Sequence, residues 1–449
     1  MRLTNKNIDM LNGPLSKKIL LFTLPIALSS IVQQLFNASD TSIVGYFGNS
    51  DALAAVGTNA EIIALIVTLS QGLSVGVNIA VASRIGKNKT ECIPSVVHSS
   101  VVLAVIIGFL GLFFGQAIAR PLLRIIKTPT EIFPSAEQYL RIYLIGYPFL
   151  LLYDFGAAIL RAKGDSRYPF IILLLSGAVN VLLNLIFVIV FRLGVAGVAI
   201  ATDISTALSA VMVICKLYSG SAFKLSFKCR PDGHGIIPEI LKTGIPSAVQ
   251  GAVFCFANIF VQASVNKFGS AAIAGSTIAV NFEYFVYYGI TAFGQTATTF
   301  IGQNYAAGKI ERCRKILWLC LGFSVLCSVL MTVPVIIFRN RFAGLFSSDG
   351  YVLENACLRI MCILLFEPVC CLYEIPSGAL RGAGHAVLPA VSTMVGTCAF
   401  RIVWICTVFA AFPTLKTLYR AFPLSWLVTI VFVGLCFIFV RPFANGGEK

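Results

Sequence analysis

The sequence predicts an all-α integral membrane protein whose twelve transmembrane helices form two six-helix bundles related by a parallel pseudo-two-fold repeat. Composition is the first reason, since 57% of the 449 residues are apolar and only 12% are charged. The mean hydropathy of +0.87 is higher than a soluble core of this length needs. Apolar stretches along the whole chain and an internal repeat are the other two reasons.

Twelve apolar stretches define the predicted helices. Most of them run for roughly 20 to 28 residues, which is enough to cross a bilayer. Lys17 and Lys18 precede the first stretch, but no small-x-small cleavage site follows, so we expect this helix to be retained. The stretches lie near residues 17–46, 52–80, 94–115, 136–160, 168–191, 195–218, 238–264, 271–299, 315–338, 355–379, 387–411 and 418–441.

The C-terminal half of the chain repeats the N-terminal half at an offset of 220 residues. ILRAKGDSRYP at 159–169 returns as ALRGAGHAVLP at 379–389, with Arg, Gly and Pro at matching positions. Because six is an even number, the second set of helices enters the membrane from the same side as the first, which makes the repeat parallel. The predicted domains are an N-terminal bundle at 1–218, a cytoplasmic linker at 219–237 and a C-terminal bundle at 238–449.

The positions of the positive charges indicate the orientation in the membrane. The chain carries 34 Lys and Arg against 19 Asp and Glu. If the N-terminus is cytoplasmic, 22 of the basic residues fall in the tails and loops on that side and 9 in the opposite loops. This asymmetry follows the positive-inside rule. We therefore expect a multi-pass protein of the cell membrane with both termini in the cytoplasm, and no nucleic-acid partner.

Internal symmetry also bears on the class of function. Two similar bundles that face each other would enclose a central cleft able to open to either side of the membrane, which favours a transporter. An enzyme would need a convergent His, Cys or Ser constellation, and the sequence does not show one. GLSVG at 72–76 lies in an apolar helix and is interpreted as small residues that allow close helix packing. We expect a monomer, and no cofactor besides a coupling ion.

Seven carboxylates fall inside predicted helices. A charged side chain at the bilayer centre costs about 2.5 to 3.5 kcal/mol on insertion scales. We therefore expect these groups to face the cleft, one another or water. They are Asp40, Glu61, Asp154, Asp203, Glu283, Glu367 and Glu374.

In the N-terminal half, one carboxylate occurs with several neutral polar side chains at helical spacing. Oxygen ligands with a single negative charge suit either a proton or one Na⁺ ion, because a hard cation prefers oxygen. Interhelical hydrogen bonding is the alternative interpretation of the Asn and Thr residues. The set consists of Gln33, Asn37 and Asp40 on the first helix, Asn180 and Asn184 on the fifth, and Thr202 on the sixth.

In the C-terminal half, the carboxylates occur beside aromatic rings, which suits lipophilic organic cations through charge pairing and cation–π contact. Glu283 lies in NFEYFVYY with Tyr287 one turn away, and Glu367 and Glu374 line one face of the tenth helix. Asp154 is the repeat equivalent of Glu374. Two alternatives remain: aromatic packing for the tyrosines, and pairing of Glu367 and Glu374 with Arg359 or another buried base.

These residues together resemble the multidrug and toxic compound extrusion family. The resemblance extends from Leu15 to about Val440. It implies a twelve-helix antiporter that expels cationic, amphipathic compounds in exchange for H⁺ or Na⁺. It is carried, in this order, by LFNASDTSIVGYFG, SDALAAVG, GLSVGVNIAVASRIGKN, ILRAKGDSRYP and GVAGVAIAT.

The resemblance also implies roles for single residues. Asp40 is similar to the first-helix acid that carries the coupling ion, and Asn180 and Thr202 match its companions. The family often has an acid where this sequence has Asn184, which argues against a Na⁺ site with two carboxylates. If Na⁺ is the coupling ion, its ligands would be Asp40, Asn180, Asn184 and Thr202. We suggest that Asp203, where an apolar residue is usual, partly replaces the missing charge.

On the tenth helix, the acid of the family that handles drug or ion would fall near Cys370, between Glu367 and Glu374. The resemblance leaves open which of the two takes that role. We expect substrate contacts at Glu283, Tyr287, Glu367, Glu374 and Asp154.

Two related functions are the alternatives to cation efflux: a flippase of lipid-linked oligosaccharides, and a metabolite exporter of the same architecture. A flippase should line its cleft with Arg and Lys to bind a pyrophosphate group. The deep bases expected here are Arg141, Arg359 and Arg401, against seven acids, which favours the cationic substrate.

Overall fold

A computed structural model describes residues 7–47, 50–126, 128–219 and 235–444. All regular secondary structure in these residues is helical, which confirms the predicted all-α class. The predicted linker lies mostly outside the described residues, at 220–234. The helices are α1 (Leu15–Phe47), α2 (Ser50–Gly86), α3 (Ile93–Ile125), α4 (Phe133–Ile145), α5 (Tyr147–Ala162), α6 (Arg167–Leu185), α7 (Gly194–Ser219), α8 (Ile236–Val265), α9 (Ser270–Ala306), α10 (Ile310–Ile337), α11 (Arg339–Gly344), α12 (Gly350–Cys362), α13 (Cys371–Gly382), α14 (Val387–Thr393), α15 (Phe400–Trp404) and α16 (Leu415–Val440).

Each of the twelve predicted stretches lies on one of these helices or on a broken run of them. In the described part of the chain, ten helices are long and apolar enough to cross a membrane, or up to eleven when the pair α4 and α5, bent by 45°, is taken as one span. α9 is long enough to cross a membrane, but its Gly, Ser, Thr, Gln and Tyr residues lower its mean hydropathy. Short segments of 3-10 or π helix join α12 to α13 and extend α6, α14 and α15.

The chain separates into two compact units. The first bundle comprises Met1–Asp9 and Leu28–Ala248, and the second comprises Met10–Ala27 and Val249–Lys449. α1 and α8 are each divided between the units, two residues after an internal proline, Pro25 in α1 and Pro246 in α8. A proline inside a helix removes one backbone hydrogen bond, so the helix is weakest at this point. The compact units therefore differ from the predicted domains at the beginnings of α1 and α8. Residues 10–27 belong to the second unit, and residues 238–248 belong to the first.

Small residues bring helices close together inside each bundle. In the first bundle, a side chain on Gly72 or Gly76 would meet the backbone of α8 at Ala248 or Ile240. This supports the interpretation of GLSVG as a packing motif. In the second bundle, Gly378 of α13 lies against the backbone of α9 in the same way. Large apolar side chains cover the outer helix faces, where a membrane protein contacts lipid. Among them are Phe113, Trp318 and Phe439, which are 69%, 68% and 81% exposed.

The internal repeat is visible in the backbone. The glycines of the two repeated motifs, Gly164 and Gly384, both have left-handed conformations, with φ of 94° and 89°. Each lies two residues after the last residue of a helix, where a residue in this conformation ends the helical hydrogen bonding. Arg161 and Arg381, matched in the sequence, lie in the last turns of α5 and α13.

Candidate functional site

Asp40 belongs to a cluster of polar side chains from three helices of the first bundle. The Asn184 side-chain amide donates to Asp40 Oδ1 over 2.5 Å and to Asn180 Oδ1 over 3.3 Å. The Asn180 amide donates to Thr202 Oγ1 over 3.3 Å. α1, α6 and α7 therefore bring together four of the residues predicted to bind the coupling ion.

The helical spacing of α6 explains how its two amides meet the others. Asn180 and Asn184 are one turn apart on the buried face of α6, with exposures of 4% and 0%. Thr202 Oγ1 donates to the carbonyl of Val198 over 2.9 Å, which leaves its lone pairs directed at the cluster. The π-helical turn Ile186–Val190 follows directly after α6, and such turns often occur at functional sites.

One oxygen of the cluster has no hydrogen-bond donor. Asn184 Oδ1 is buried and makes no hydrogen bond among the described residues. A buried carbonyl oxygen of this kind is costly unless a donor or a cation satisfies it. Together with the Asp40 carboxylate, Asn180 Oδ1 and Thr202 Oγ1, it forms an all-oxygen donor set that fits Na⁺. The described residues contain no group of three His, Cys, Asp or Glu that would hold another type of metal.

The other predicted residues of α1 lie near this cluster but are more exposed. Asn37 is one turn before Asp40 and is exposed, and Gln33 is half-buried. Asp40 itself is half-buried. The same helix face therefore leads from the surface of α1 towards Asp40.

Sequence reasoning missed two tyrosines of α4. The rings of Tyr139 and Tyr143 stack with centroids 6.4 Å apart, and both experience the charges of Asp40 and Asp203. Their spacing of four residues in QYLRIY was a signal for a shared helix face. Nothing in the sequence indicated which helix that face would contact.

Asp203 follows Thr202 but points to a different neighbour. Its carboxylate lies against Gly146, between α4 and α5, where Asp203 Oδ1 occupies the space that a side chain at position 146 would need. Consecutive residues of a helix point about 100° apart, which explains why Thr202 reaches Asn180 and Asp203 does not. The suggestion that Asp203 partly replaces the charge missing at Asn184 stays a prediction.

Asp154 lies on α5, away from the hydrogen-bonded cluster. Ser70 of α2 donates to Asp154 Oδ2 over 2.6 Å, and the charge of Arg161 is also close. Glu61, another acid predicted at membrane depth, is exposed on α2. The first bundle thus holds three inward carboxylates, Asp40, Asp154 and Asp203.

In the second bundle, Glu283 forms a bidentate ion pair with Arg359. Both hydrogen bonds are 2.8 Å long, and the two side chains are 12% and 6% exposed. Arg359 also donates to Ser276 Oγ over 2.6 Å and lies over the ring of Tyr419. The charge of Glu283 is therefore neutralised within the bundle.

Glu374 is paired with a different arginine. Arg381 donates to Glu374 Oε1 over 2.9 Å across two turns of α13. Pairing of Glu374 with Arg359 or another buried base is one of the alternatives that the sequence leaves open, and the partner is Arg381. Tyr287 on α9 lies near this pair and experiences the charges of both partners.

Glu367 is the predicted substrate acid without such a partner. It is 4% exposed, in the 3-10 segment Leu364–Cys370. Among the described residues its carboxylate makes no hydrogen bond, although the charges of Arg401, Arg359 and Glu283 are close. Which of Glu367 and Glu374 carries the second-half role stays a prediction.

Arg401, one of the three deep bases expected from the sequence, is buried in the second bundle. It is 1% exposed, donates to Ser425 Oγ over 3.1 Å and lies 4.0 Å over the ring of Phe422. Its other hydrogen bond, to Asn258 Oδ1, is 3.4 Å long. Its described hydrogen-bond partners include no carboxylate. The second bundle thus holds buried charges of both signs.

Comparison with known proteins gives a consistent result over nearly the whole chain. The MatE family model matches twice, at residues 25–186 and 246–407, which confirms the internal repeat. The chain is similar to a "Probable multidrug resistance protein NorM" of Thermotoga maritima, with 26% identity over 391 residues, 84% of this chain and 82% of that protein. It is also similar to an "FAD transporter" of Shewanella oneidensis, with 25% identity over 355 residues, 77% of each chain. A solved MOP superfamily transporter from Pyrococcus furiosus shares the fold, with a TM-score of 0.90 and 21% identity over 99% of this chain and 100% of that one.

Proposed function

Since the chain belongs to the MatE family and is a membrane transporter rather than an enzyme, we propose that it is a secondary antiporter that exchanges H⁺ or Na⁺ for cationic amphipathic compounds. The proposal includes alternating access, so that the protein opens to one side of the membrane at a time. In this proposal the protein is a monomer of the cell membrane with both termini in the cytoplasm, which the charge asymmetry of the loops supports.

One observation carries the proposal: the Asp40 carboxylate is hydrogen-bonded by the neutral amide of Asn184, with no Arg or Lys hydrogen-bonded to it among the described residues. A carboxylate inside a membrane protein is expensive. A permanent counter-charge would offset that expense, but it would also have to leave before a cation could bind. Neutral partners orient Asp40 and leave its charge available to a cation.

The cluster suits either coupling ion. A proton would bind to the Asp40 carboxylate itself. Na⁺ would be held by that carboxylate and by the oxygens of Asn180, Asn184 and Thr202, because hard cations take oxygen ligands. Either ion would neutralise the single charge and make the site compatible with a low-dielectric surrounding.

For the cationic substrate, Glu367 is the strongest candidate in the second bundle. It is buried and has no hydrogen bond among the described residues, and the aromatic Tyr287 is close enough to experience its charge. Glu283 and Glu374 would first have to release Arg359 and Arg381. Both acids, together with Tyr287 and Asp154, remain proposed substrate contacts that act after such a rearrangement.

Exchange requires that the coupling ion and the substrate each weaken the binding of the other. By linkage, if the ion weakens substrate binding, the substrate weakens ion binding by the same factor. The membrane potential supplies about 2.3 kcal/mol per charge per 100 mV, in addition to the ion gradient.

The experiment that tests the proposal is ethidium efflux in everted membrane vesicles, first under an imposed pH gradient and then under an imposed Na⁺ gradient. Wild type should transport ethidium with one of the gradients, and Asp40→Asn should abolish transport at unchanged abundance in the membrane. Glu137→Gln is the matched control, because Glu137 is an acid of the same bundle that pairs with Arg141 and Arg120 near the beginning of α4. Normal efflux by the Asp40→Asn variant would refute the assignment.

A second candidate function, export of an anionic metabolite, is favoured by Arg401. This guanidinium is almost fully buried and no carboxylate is hydrogen-bonded to it among the described residues. The relative from Shewanella oneidensis named an FAD transporter points in the same direction. Uptake of FAD into the same vesicles, lost in Arg401→Gln and kept in Glu367→Gln, would favour this function. Ethidium transport that depends on Glu367 and not on Arg401 would favour the cationic substrate.

A further inference from the structure

One face of α3 is exposed along its length and changes from apolar to basic. Phe109 and Phe113, near the middle of the helix, are exposed, and their rings stack with centroids 6.5 Å apart. Arg120 and Arg124 follow near the end of the helix and are also exposed. At 100° per residue, these four side chains fall within a sector of about 60° around the helix. They form one continuous surface, which we call the α3 stripe.

The opposite face of α3 packs inside the first bundle. A side chain on Gly115 would meet the side chain of Leu144 on α4, and one on Gly108 would meet the backbone of Pro148 on α5. Leu123, in the last turn of α3, is completely buried. Small and apolar residues thus fix the helix on one side. The α3 stripe remains on the outside of the bundle, where the apolar residues of a membrane protein contact lipid chains.

The guanidinium of Arg120 is loosely held. Its Nε lies 3.5 Å from Glu137 Oε2, and the side chain is 59% exposed. The other oxygen of Glu137 is bound by Arg141 Nε over 2.9 Å. Arg141 also donates to the backbone and side-chain oxygens of Gln116. The terminal nitrogens of Arg120 make no hydrogen bond among the described residues, so these donors are available to a ligand.

Arg124 lies one turn beyond Arg120 on the same stripe and makes no ion pair in the part of the chain that the structure describes. Like charges four residues apart destabilise a helix. A basic residue near the C-terminus of a helix is favourable through the helix dipole, but that effect does not require both arginines to lie on the exposed face. An anion bound between the two guanidiniums would remove their repulsion.

The charges around this end of the α3 stripe do not cancel. Three arginines, Arg120, Arg124 and Arg141, meet one carboxylate, Glu137, which leaves a net charge of +2. Glu131, in the loop before α4, makes no ion pair among the described residues. In the proposed orientation this end of α3 lies outside the cell, where membrane proteins carry few basic residues. Orientation in the membrane therefore does not explain this cluster.

We propose that the α3 stripe binds an anionic phospholipid, with the phosphate between Arg120 and Arg124 and the acyl chains along Phe109 and Phe113. A guanidinium matches a phosphate through two parallel hydrogen bonds. Arg120 lies about 16 Å beyond Phe109 along the helix axis. The hydrocarbon of one leaflet is about 15 Å deep. One lipid molecule therefore spans the distance from the arginines to the phenylalanines.

The net charge selects between classes of phospholipid. A zwitterionic lipid brings an ammonium group, which the three arginines would repel. Phosphatidylglycerol, an anionic lipid, brings a phosphate without a compensating positive charge. Each basic residue near such a lipid surface favours the anionic lipid by about fivefold.

Quenching of a tryptophan placed on the α3 stripe measures which lipid binds there. Phe113→Trp keeps a large aromatic side chain at an exposed position and adds a reporter to the three native tryptophans. The purified full-length variant is reconstituted into vesicles of phosphatidylcholine and phosphatidylglycerol at one fixed composition, with brominated chains on either the first lipid or the second. The quenching that is absent from the protein without the reporter belongs to position 113. We expect phosphatidylglycerol to be preferred there.

The arginines should account for this preference. In the reporter protein, Arg120→Gln or Arg124→Gln should lower the preference by about fivefold, and the double variant should remove it. Glu137→Gln should raise it by up to about fivefold, because the acid that competes with phosphate for Arg120 is gone. Arg192→Gln is the matched control, since it removes an exposed arginine of the same bundle that lies outside the α3 stripe, and it should change nothing.

Equal quenching by the two brominated lipids in the Phe113→Trp protein would overturn the inference. A preference that survives the loss of both arginines would also overturn it. Excess inorganic phosphate should leave the preference intact, because the acyl chains also hold the lipid. Loss of the preference in phosphate would assign the arginines to a free anion instead. None of these measurements involves transport, so the proposed antiport can fail while this inference stands.

Discussion

The side-chain amide of Asn184 donates a hydrogen bond to the carboxylate of Asp40 over 2.5 Å, and its own carbonyl oxygen is buried without a donor among the described residues. Asn184 thus orients the acid with one end and presents a free ligand atom with the other. By resemblance to the family, a second acid is expected at position 184. The side chain of Asn184 keeps a carbonyl oxygen at that place but carries no negative charge.

Asn184→Asp should therefore strengthen cation binding at this cluster. A second carboxylate adds one negative charge to an otherwise similar oxygen donor set, and the affinity of such sites rises with the number of charged ligands. We expect the concentration of the coupling ion for half-maximal transport to fall by about tenfold, which corresponds to about 1.4 kcal/mol. The measurement is initial ethidium efflux against Na⁺ concentration and against pH. Weaker cation dependence in this variant would show that Asn184 does not face the bound ion.

The ion pair of Glu283 and Arg359 should behave as a unit. Both side chains are buried, so Glu283→Gln or Arg359→Met alone leaves an uncompensated charge and should destabilise the protein by about 3 to 5 kcal/mol. The double variant should be much less destabilised, because neither charge remains. Thermal unfolding in detergent, combined in a double-mutant cycle, measures the coupling.

The control for that cycle is Arg314 and Glu311, which form an ion pair with side chains 42% and 67% exposed. Solvent screens such a pair, and its coupling should be about 0.2 to 1 kcal/mol. Equal coupling energies for the two pairs would contradict the interpretation of Glu283 as a neutralised, structural acid in this conformation.

The sequence predicts the helices of this protein well because their main signal is length in apolar residues, which does not depend on tertiary contacts. It also predicts part of the Asp40 cluster, since Asn180 and Asn184 share a face by helical periodicity alone. Periodicity does not reveal how a helix is rotated against its neighbours. Asp203 could therefore be placed next to Thr202 in sequence but not against Gly146 in space.

The pairing of the acids in the second bundle is the other part that could not be predicted. Glu283 and Arg359 are 76 residues apart, and any of three arginines would have met the same need. Arg381 falls near the end of a predicted helix, where a base is expected to reach water, yet it turns inward to Glu374. An excess of acids in the sequence therefore did not become an excess of negative charge inside this bundle.

Gly76 and Gly57, both on α2, should respond in opposite directions to alanine. A side chain on Gly76 would meet the backbone carbonyl of Ile240, and the two helices would have to separate. We expect Gly76→Ala to destabilise the protein by about 1 to 3 kcal/mol. Gly57 faces open space, so Gly57→Ala should stabilise it by about 0.5 to 1 kcal/mol through helix propensity. Thermal unfolding of both variants in detergent is the measurement, and equal shifts would contradict the packing role of GLSVG.

Gly164 and Gly384 allow the last prediction to be tested within the repeat itself. Both glycines are left-handed, with φ of 94° and 89°, so alanine at either position costs about 1 to 2 kcal/mol in backbone strain. Only Gly164 is also in contact with the N-terminal segment: its carbonyl accepts from Ile8 N over 3.1 Å, and a side chain there would meet the backbone of Ile8. Gly384 has open space at the same point.

Gly164→Ala should therefore release the N-terminal segment, and hydrogen–deuterium exchange of residues 7–9 should accelerate by about tenfold. Gly384→Ala should lower the unfolding temperature through backbone strain and leave that exchange unchanged. The same acceleration in both variants would show that strain alone is responsible and that the N-terminal segment is not held at Gly164.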